Sequence, residues 1–135
     1  MSQTFNLLER FSTKNRIAFK VLKKAKKEKS TFVDLGNCGI DRYLPEELFD
    51  EYFVENLEGL SLGYCYKLES NDKYKKTQNI GKQNIFYGDY LTSLSRFRSL
   101  SKLIIAYDYD FPGSLKSMDF VKGCLQLKEL DFSNN

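Results

Sequence analysis

The stretch STFVDLGNCGI, residues 30–40, carries apolar residues at alternate positions and ends on a cysteine and an isoleucine. Val33 and Leu35 lie two positions apart, so in an extended strand both side chains point to one face. The same spacing returns in LEGLSLGYC (57–65), LSKLIIAYD (100–108) and LKELDFSNN (127–135). The common form, LxxLxLxxN/CxL, predicts four short strands that share one apolar face.

The spacing of the four copies shows where the repetition is interrupted. The copies begin at residues 30, 57, 100 and 127, which lie 27, 43 and 27 residues apart. The longer middle step contains the polar run ESNDKYKKTQNIGKQN, residues 69–84, which we interpret as a loop insertion. The alternative divides this step into two short repeats, with a decayed copy at Ile80, Gln83, Ile85 and Gly88. The polar residue within that copy favours the insertion.

One copy of this pattern cannot bury its apolar face alone, so neighbouring copies have to stack and pair their strands into a parallel sheet. The asparagine or cysteine at position 9 then hydrogen-bonds backbone groups of the turn that follows. We therefore predict Cys38 and Cys65 to be buried turn residues. The three cysteines show no CxxC spacing, which favours reduced thiols over a disulfide framework or a zinc site.

The segment before the first copy is strongly basic, with eight Lys or Arg residues and one acid between Lys14 and Lys29. Residues 30–68 reverse the balance, with eight acids against two bases. At 100° per residue the apolar side chains from Ile17 to Ala25 occupy one arc, and the lysines occupy the other side. This pattern predicts an amphipathic helix that caps the first repeat. The alternative is a lysine surface for nucleic acid or anionic membranes, which Phe19, outside the apolar arc, favours.

The segments between strands have helical spacing. Pro45 to Phe53 begins with a proline and places apolar residues four apart, which predicts a short helix with solvated acids. Residues 93–100 and 114–124 have three-residue apolar steps that suit helix or 3₁₀ turns.

Several function classes are excluded or disfavoured. The chain has no histidine, so it has no imidazole for a catalytic triad, a zinc site or proton transfer. Its acid pairs lack an accompanying nucleophile or metal-ligand set, and we predict no enzymatic activity, no cofactor and no bound metal. Asp108 and Asp110 precede Phe111-Pro112-Gly113 and offer two oxygens for calcium, but such sites need about six ligands, which favours a simple turn. Neither a signal peptide nor a bilayer-spanning apolar run is recognisable, which predicts a cytoplasmic protein.

The string STFVDLGNCGIDRYLPEEL, following a lysine-rich helix, resembles the first repeat of bacterial intracellular leucine-rich-repeat proteins. LKELDFSNN is similar to their later repeats, and the resemblance covers about residues 16–135. It implies an α/β leucine-rich-repeat solenoid, with a curved parallel sheet on the concave side and helices or turns on the convex side. Such repeats serve alone as binding arrays or belong to larger proteins, including the Roco family with its Ras-like GTPase. No GxxxxGK[ST] phosphate-binding loop occurs in this chain.

The predicted organisation is a helical cap over residues 1–29 and about four repeats over residues 30–135. The last residue falls on position 9 of the fourth copy. We therefore expect the chain to be truncated at its C-terminus or to self-associate through that open repeat.

We predict a protein-interaction module that binds a protein or peptide through the outward strand positions of the concave face. The alternatives are a regulatory arm of a Roco-type GTPase and binding of an anionic surface by the basic helix. Exposed aromatics flanked by charges are typical of an interface, although an inserted loop lying across the face accounts for them equally well. The predicted contact residues are Phe32, Asp34, Asn37, Ser61, Tyr64, Lys102, Ile104, Tyr107, Glu129 and Asp131.

Overall fold

The computed structural model describes residues 15–67, 74–107 and 112–135. Four three-residue strands form one parallel sheet: β1 (Phe32–Asp34), β2 (Gly59–Ser61), β5 (Lys102–Ile104) and β6 (Glu129–Asp131), in that order across the sheet. Between β2 and β5 along the chain, β3 (Cys65–Lys67) and β4 (Tyr74–Lys76) pair as an antiparallel hairpin. The protein is therefore of mixed α/β class, as the sequence predicts.

The sheet is in register with the sequence pattern. Val33 pairs with Leu60, Leu60 with Leu103, and Leu103 with Leu130. Each of these residues holds the fourth position of its copy, so the pattern predicts both the strands and their register. A slip of one residue would turn each of these apolar side chains from the core to the opposite face of the sheet. Burial of the apolar side chains therefore selects this register.

The inward side chains of β1, β2 and β5, together with the residue that follows each of these strands, build one apolar core. Leu35, Leu60, Leu62, Leu103 and Ile105 are all fully buried in it. Full burial of a side chain of this size contributes about 1.5 to 3 kcal/mol relative to leaving it exposed. In β6 the equivalent positions are less covered. Leu130 and Phe132 remain 40% and 45% exposed because no described strand lies beyond β6.

The predicted basic helix is confirmed as α1 (Arg16–Lys27). It buries Ala18, Leu22 and Ala25 and packs against β1. Its last turn carries Lys24, Lys26 and Lys27, where positive charge complements the negative end of the helix dipole.

Each predicted segment contains a short helix, but residues 97–100 and 114–118 of the segments predicted at 93–100 and 114–124 are not helical. Glu46–Phe49 forms a 3₁₀ helix that leads into α2 (Glu51–Asn56), and Gly88–Arg96 and Asp119–Gly123 are 3₁₀ helices. The expectation that the acids between Pro45 and Phe53 are solvated is wrong for Glu47 and Asp50, which are both buried. Asp50 is accommodated because its Oδ1 lies 3.1 Å from Lys26 Nζ and its Oδ2 accepts from Tyr52 N, which caps α2.

The segment at 69–84 is not a loop throughout, because it contributes β4 to the hairpin. Its described part, residues 74–84, adds no strand to the parallel sheet. β2 pairs directly with β5, and Ile80 is 95% exposed. The decayed-repeat alternative is therefore wrong.

Among the residues that the structure describes, no helix combines the length and the apolar content needed to cross a bilayer.

Candidate binding surface

The outward face of the parallel sheet carries the side chains that alternate with the buried leucines. The ten predicted contact residues are found in three environments. Phe32 and Glu129 are exposed; Asp34, Asn37, Tyr64, Lys102 and Asp131 are half-buried; Ser61, Ile104 and Tyr107 are buried. The expectation that all ten are available to a partner is thus wrong for the last three.

The hairpin is the reason for the burial of Ile104. Tyr66 of β3 packs on Ile104 and Ala106 as a small apolar cluster, and its ring centroid lies 5.6 Å from that of Phe32. Tyr64 N and Cys65 N both donate to Ala106 O, at 2.8 and 3.1 Å, which fixes the start of β3 against the end of β5. Tyr66 precedes the insertion predicted at 69–84, so the residue that covers Ile104 does not belong to that segment. Within it, Thr77 and Asn79 hydrogen-bond Asp34 at the edge of this face.

Cys65 differs from its prediction for the same reason. It lies in β3, half-buried, and pairs with Lys76 rather than closing a turn. Cys38 is confirmed as a buried turn residue, with its Sγ donating to Gly36 O at 3.5 Å. Burial, and after it the charge of Asp34, raises the pKa of Cys38 to about 12, so this thiol is not a nucleophile at neutral pH.

Asn84 takes the turn role that was predicted for Cys65. Its Nδ2 donates to Leu35 O and Leu62 O, both at 2.8 Å, and its Oδ1 accepts from Cys38 N at 3.2 Å and Ile40 N at 2.9 Å. The residue is buried, and its amide joins the turns after β1 and β2. Sequence reasoning missed it because Asn84 closes the run assigned to the insertion. The only signal was an asparagine immediately before Ile85-Phe86.

Asn135 makes an equivalent set of bonds after β6, as its place in the fourth copy predicts. Its Nδ2 donates to Ile105 O and Phe132 O, both at 2.7 Å, and its Oδ1 accepts from Leu115 N at 3.3 Å. Tyr107 is buried between these two turns, and its hydroxyl donates to Asn84 O at 3.3 Å. It therefore supports the turns and offers no surface to a partner.

Asp34 is an anchor for the segment that follows the hairpin. Thr77 Oγ1 donates to Asp34 Oδ2 at 2.6 Å, Gly36 N donates to Asp34 Oδ1 at 2.9 Å, and Asn79 Nδ2 donates to Asp34 O at 3.0 Å. Burial is the largest influence on this carboxyl and raises the pKa of Asp34, although the hydrogen bonds act in the opposite direction.

Ser61, next to Asp34 in the sheet register, is fully buried. Among the residues that the structure describes, Ser61 Oγ is the one buried side-chain oxygen or nitrogen atom without a hydrogen-bond partner. Asn37 has a left-handed backbone with φ of 48°, which asparagine tolerates, so it serves the turn after β1.

The accessible remainder of the outward face, here called the binding face, consists of Phe32, Lys102, Glu129 and Asp131. Phe32 is 40% exposed and lies across Gly59, where a Cβ would come within 2.7 Å of its ring. On the other side of the hairpin, Lys102 Nζ lies 3.6 Å from Glu129 Oε2. Asp131 accepts from the backbone and hydroxyl of Ser133. Tyr64 borders this surface, with Lys76 Nζ 5.5 Å from its ring centroid.

No group of three or more potential metal ligands is found in the part of the chain that the structure describes. The predicted turn at Asp108 and Asp110 lies outside the described residues. Comparisons with protein-family models, with curated proteins and with solved structures find no match to this chain.

Proposed function

We propose that this chain is a leucine-rich-repeat array of the bacterial intracellular type that binds a protein or peptide partner through its binding face. The support for the fold is the 27-residue step between paired positions, the in-register sheet and the two asparagines, Asn84 and Asn135, that bond the turns. The two buried free cysteines agree with a reducing compartment, which supports a cytoplasmic location.

The observation that carries the proposed function is the chemistry of the binding face. Phe32 is exposed on β1, whereas the next residue, Val33, is buried in the core. Lys102 lies two strands away on β5, and Glu129 and Asp131 lie three strands away on β6. An exposed aromatic ring near charged groups of both signs is typical of an interface with an apolar contact and a polar rim. None of these four side chains is needed to close the core.

The hairpin divides this surface and so limits the kind of partner. Tyr66 fills the middle of the outward face, which leaves Phe32 on one side and the Lys102/Glu129/Asp131 group on the other. A partner that reaches both sides has to pass over the hairpin strands, where Lys75 and Lys76 are exposed. We therefore propose a partner surface with acidic groups facing β4 and basic groups facing Glu129 and Asp131.

Partner capture with matched variants tests this proposal. The immobilised chain is used to isolate partners from a bacterial lysate, the captured protein is purified, and its affinity for each variant is measured by calorimetry. Phe32→Ala and the pair Glu129→Lys and Asp131→Lys are expected to weaken binding about tenfold or more. The control is Arg98→Ala with Glu55→Ala, an exposed ion pair away from the sheet. Equal affinities for the wild type and the binding-face variants would contradict the proposal.

A second candidate function, binding of an anionic surface by α1, is favoured by the exposure of Lys20, Lys24 and Lys27. Lys26 is engaged with Asp50, and Phe19 is half-buried against the core rather than free to insert into a membrane. This candidate predicts binding to phosphatidylserine vesicles or DNA that falls steeply with salt. Replacing the three exposed lysines by glutamine is expected to abolish it, and binding that survives this replacement would contradict it.

A further inference from the structure

Three tyrosines from two distant segments form a continuous aromatic surface, here called the tyrosine surface. The Tyr43 and Tyr90 rings meet edge to face, with centroids 4.7 Å apart at an angle of 79°. Tyr87 meets Tyr90 in the same manner, at 6.4 Å and 61°. None of these residues belongs to the binding face, so the tyrosine surface is a separate feature of the molecule.

The backbone under the tyrosine surface is firmly held. Arg42 N donates to Ile85 O and Ile85 N donates to Ile40 O, both at 2.8 Å, which ties the two segments together. The neighbours Leu44 and Phe86 are buried in the core. The tyrosines are therefore presented in a fixed arrangement, which lowers the entropic cost of binding a ligand.

The rings themselves contribute little to the core. Tyr43 is 67% exposed, Tyr87 is 50% exposed, and Ile85 beside them is 43% exposed. Single exposed apolar residues are normal on protein surfaces, but a contiguous group of large aromatic side chains marks an interaction site. Tyrosine is enriched in such sites because it combines a rigid apolar ring with a hydroxyl that hydrogen-bonds.

The tyrosine surface continues into a cleft of about 320 Å³ that Tyr87 helps to line. The carboxylates of Asp89 and Asp119 and the ammonium of Lys116 are its charged lining groups. Asp119 forms an ion pair with Lys122, whose Nζ lies 3.8 Å from Asp119 Oδ1. Asp89 is exposed in the first turn of the 3₁₀ helix Gly88–Arg96, directly before Tyr90 in the sequence. A cationic side chain of a ligand lying on the tyrosines is thus placed to contact Asp89.

The ring geometry selects the ligand class. An aromatic cage for a quaternary ammonium ion needs ring faces around an open gap, and these rings close on one another edge to face. Addition of a strand is disfavoured because Arg42 N and both backbone groups of Ile85 are already bonded. A polyproline II helix needs neither an open gap between the rings nor unbonded backbone groups of the protein. Its proline rings pack on exposed aromatic rings, and its free carbonyls accept from tyrosine hydroxyls.

We propose that the tyrosine surface, together with Asp89, is a docking site for a proline-rich peptide in the polyproline II conformation with a basic residue beside its prolines. The peptide's proline rings lie on the exposed sides of Tyr43 and Tyr87, and its arginine or lysine contacts Asp89. The tyrosine surface shares no residue with the binding face.

Fluorescence anisotropy with a labelled synthetic peptide of about ten residues, proline-rich with one terminal arginine, tests the proposal. Saturable binding is expected, and Tyr43→Ala and Tyr87→Ala are each expected to weaken it about tenfold. Both side chains are largely exposed, so circular dichroism and the unfolding midpoint should match those of the wild type. The matched control is Ile80→Ala, which removes another exposed apolar side chain and should leave the affinity unchanged.

A second peptide in which glutamine replaces the arginine tests the charge contact. Asp89→Asn is expected to weaken the arginine peptide several-fold and to leave the glutamine peptide unaffected. An unchanged affinity of the arginine peptide for this variant would contradict the contact with Asp89. The absence of saturable binding, equal binding by the tyrosine variants, or tighter binding of tetramethylammonium than of the peptide would overturn the proposal.

Discussion

Thr77 Oγ1 donates a 2.6 Å hydrogen bond to Asp34 Oδ2, which joins the segment after the hairpin to the first strand of the sheet. Thr77→Val keeps the shape of the side chain and removes the donor, so the half-buried carboxylate loses its shortest bond. We expect the free energy of unfolding to fall by about 1 to 3 kcal/mol. Thr77→Ser, which keeps the hydroxyl, is the control in urea denaturation, and equal losses in both variants would contradict this reason.

The pH dependence of stability follows from the raised pKa of Asp34. Burial is the main cause, and it raises this pKa above its ordinary value of 3.8. Because the folded state then holds the proton more tightly than the unfolded state, this group's contribution to stability falls as the pH rises from about 3.8 through the raised pKa. In Asp34→Asn this contribution is removed. Urea denaturation of both proteins between about pH 3 and pH 7 should therefore show a wild-type stability that declines relative to the variant, and parallel curves would contradict this.

Asn84→Ala should be the most damaging single change among the polar residues discussed. It leaves two carbonyls and two amide groups without their buried partner. We expect a loss of at least about 3 kcal/mol, because each unsatisfied buried group costs roughly 1 to 3 kcal/mol. Asn56→Ala, which removes one exposed bond to Tyr52 O, is the matched control and should change stability by about 0.5 kcal/mol at most. Similar midpoints for the two variants would show that Asn84 does not hold the turns.

The three thiols should react at different rates. Burial raises the pKa of Cys38 and of Cys124, and both side chains are buried, whereas Cys65 is half-buried. We expect a thiol-specific reagent at neutral pH to modify Cys65 first, and to reach the other two only as fast as the protein unfolds. Peptide mapping by mass spectrometry identifies the modified residue, with Cys65→Ser as the control. Modification of Cys38 at the rate of Cys65 would contradict the buried turn.

The two ion pairs at α2 should differ in their contribution to stability. Asp50 is buried, pairs with Lys26 at 3.1 Å and caps the helix, whereas Glu55 pairs with Arg98 on an exposed surface. Asp50→Ala is expected to cost about 1 to 3 kcal/mol from the lost cap and the lost pair. Glu55→Ala is expected to cost about 0.5 kcal/mol or less, since exposed pairs are weak. Thermal unfolding at low and high salt compares them, and equal shifts would contradict this ranking.

The parallel sheet was predictable because the sequence pattern that encodes its strands is short and repeated. Positions such as Leu60 and Leu103 recur in the same short pattern, and alternation of side chains along a strand then fixes both the face and the register. The amphipathic helix α1 was predictable for the same reason, since its apolar arc is readable from residues three and four apart.

The candidate site was less predictable because its decisive contacts join distant positions. Asn84 bonds Leu35 and Leu62, which are 49 and 22 positions away, and no local pattern shows that an asparagine in a polar run is buried. Tyr66 of β3 covers Ile104, and the two residues are 38 positions apart in the sequence. The pattern marks position 104 as outward but contains nothing about what lies over it.

The insertion between β2 and β5 has a consequence for chain entropy. Leu60 and Leu103 are 43 residues apart, whereas the pairs Val33 and Leu60, and Leu103 and Leu130, are 27 apart. The entropic cost of closing a loop grows only with the logarithm of its length, by about 0.6 kcal/mol for each doubling. Since 43 residues are less than twice 27, the longer connection costs less than about 0.6 kcal/mol more than the other two. The short antiparallel pairing of β3 with β4 shortens the effective loop further. The extra length at this one connection therefore adds little to the entropic cost of pairing β2 with β5.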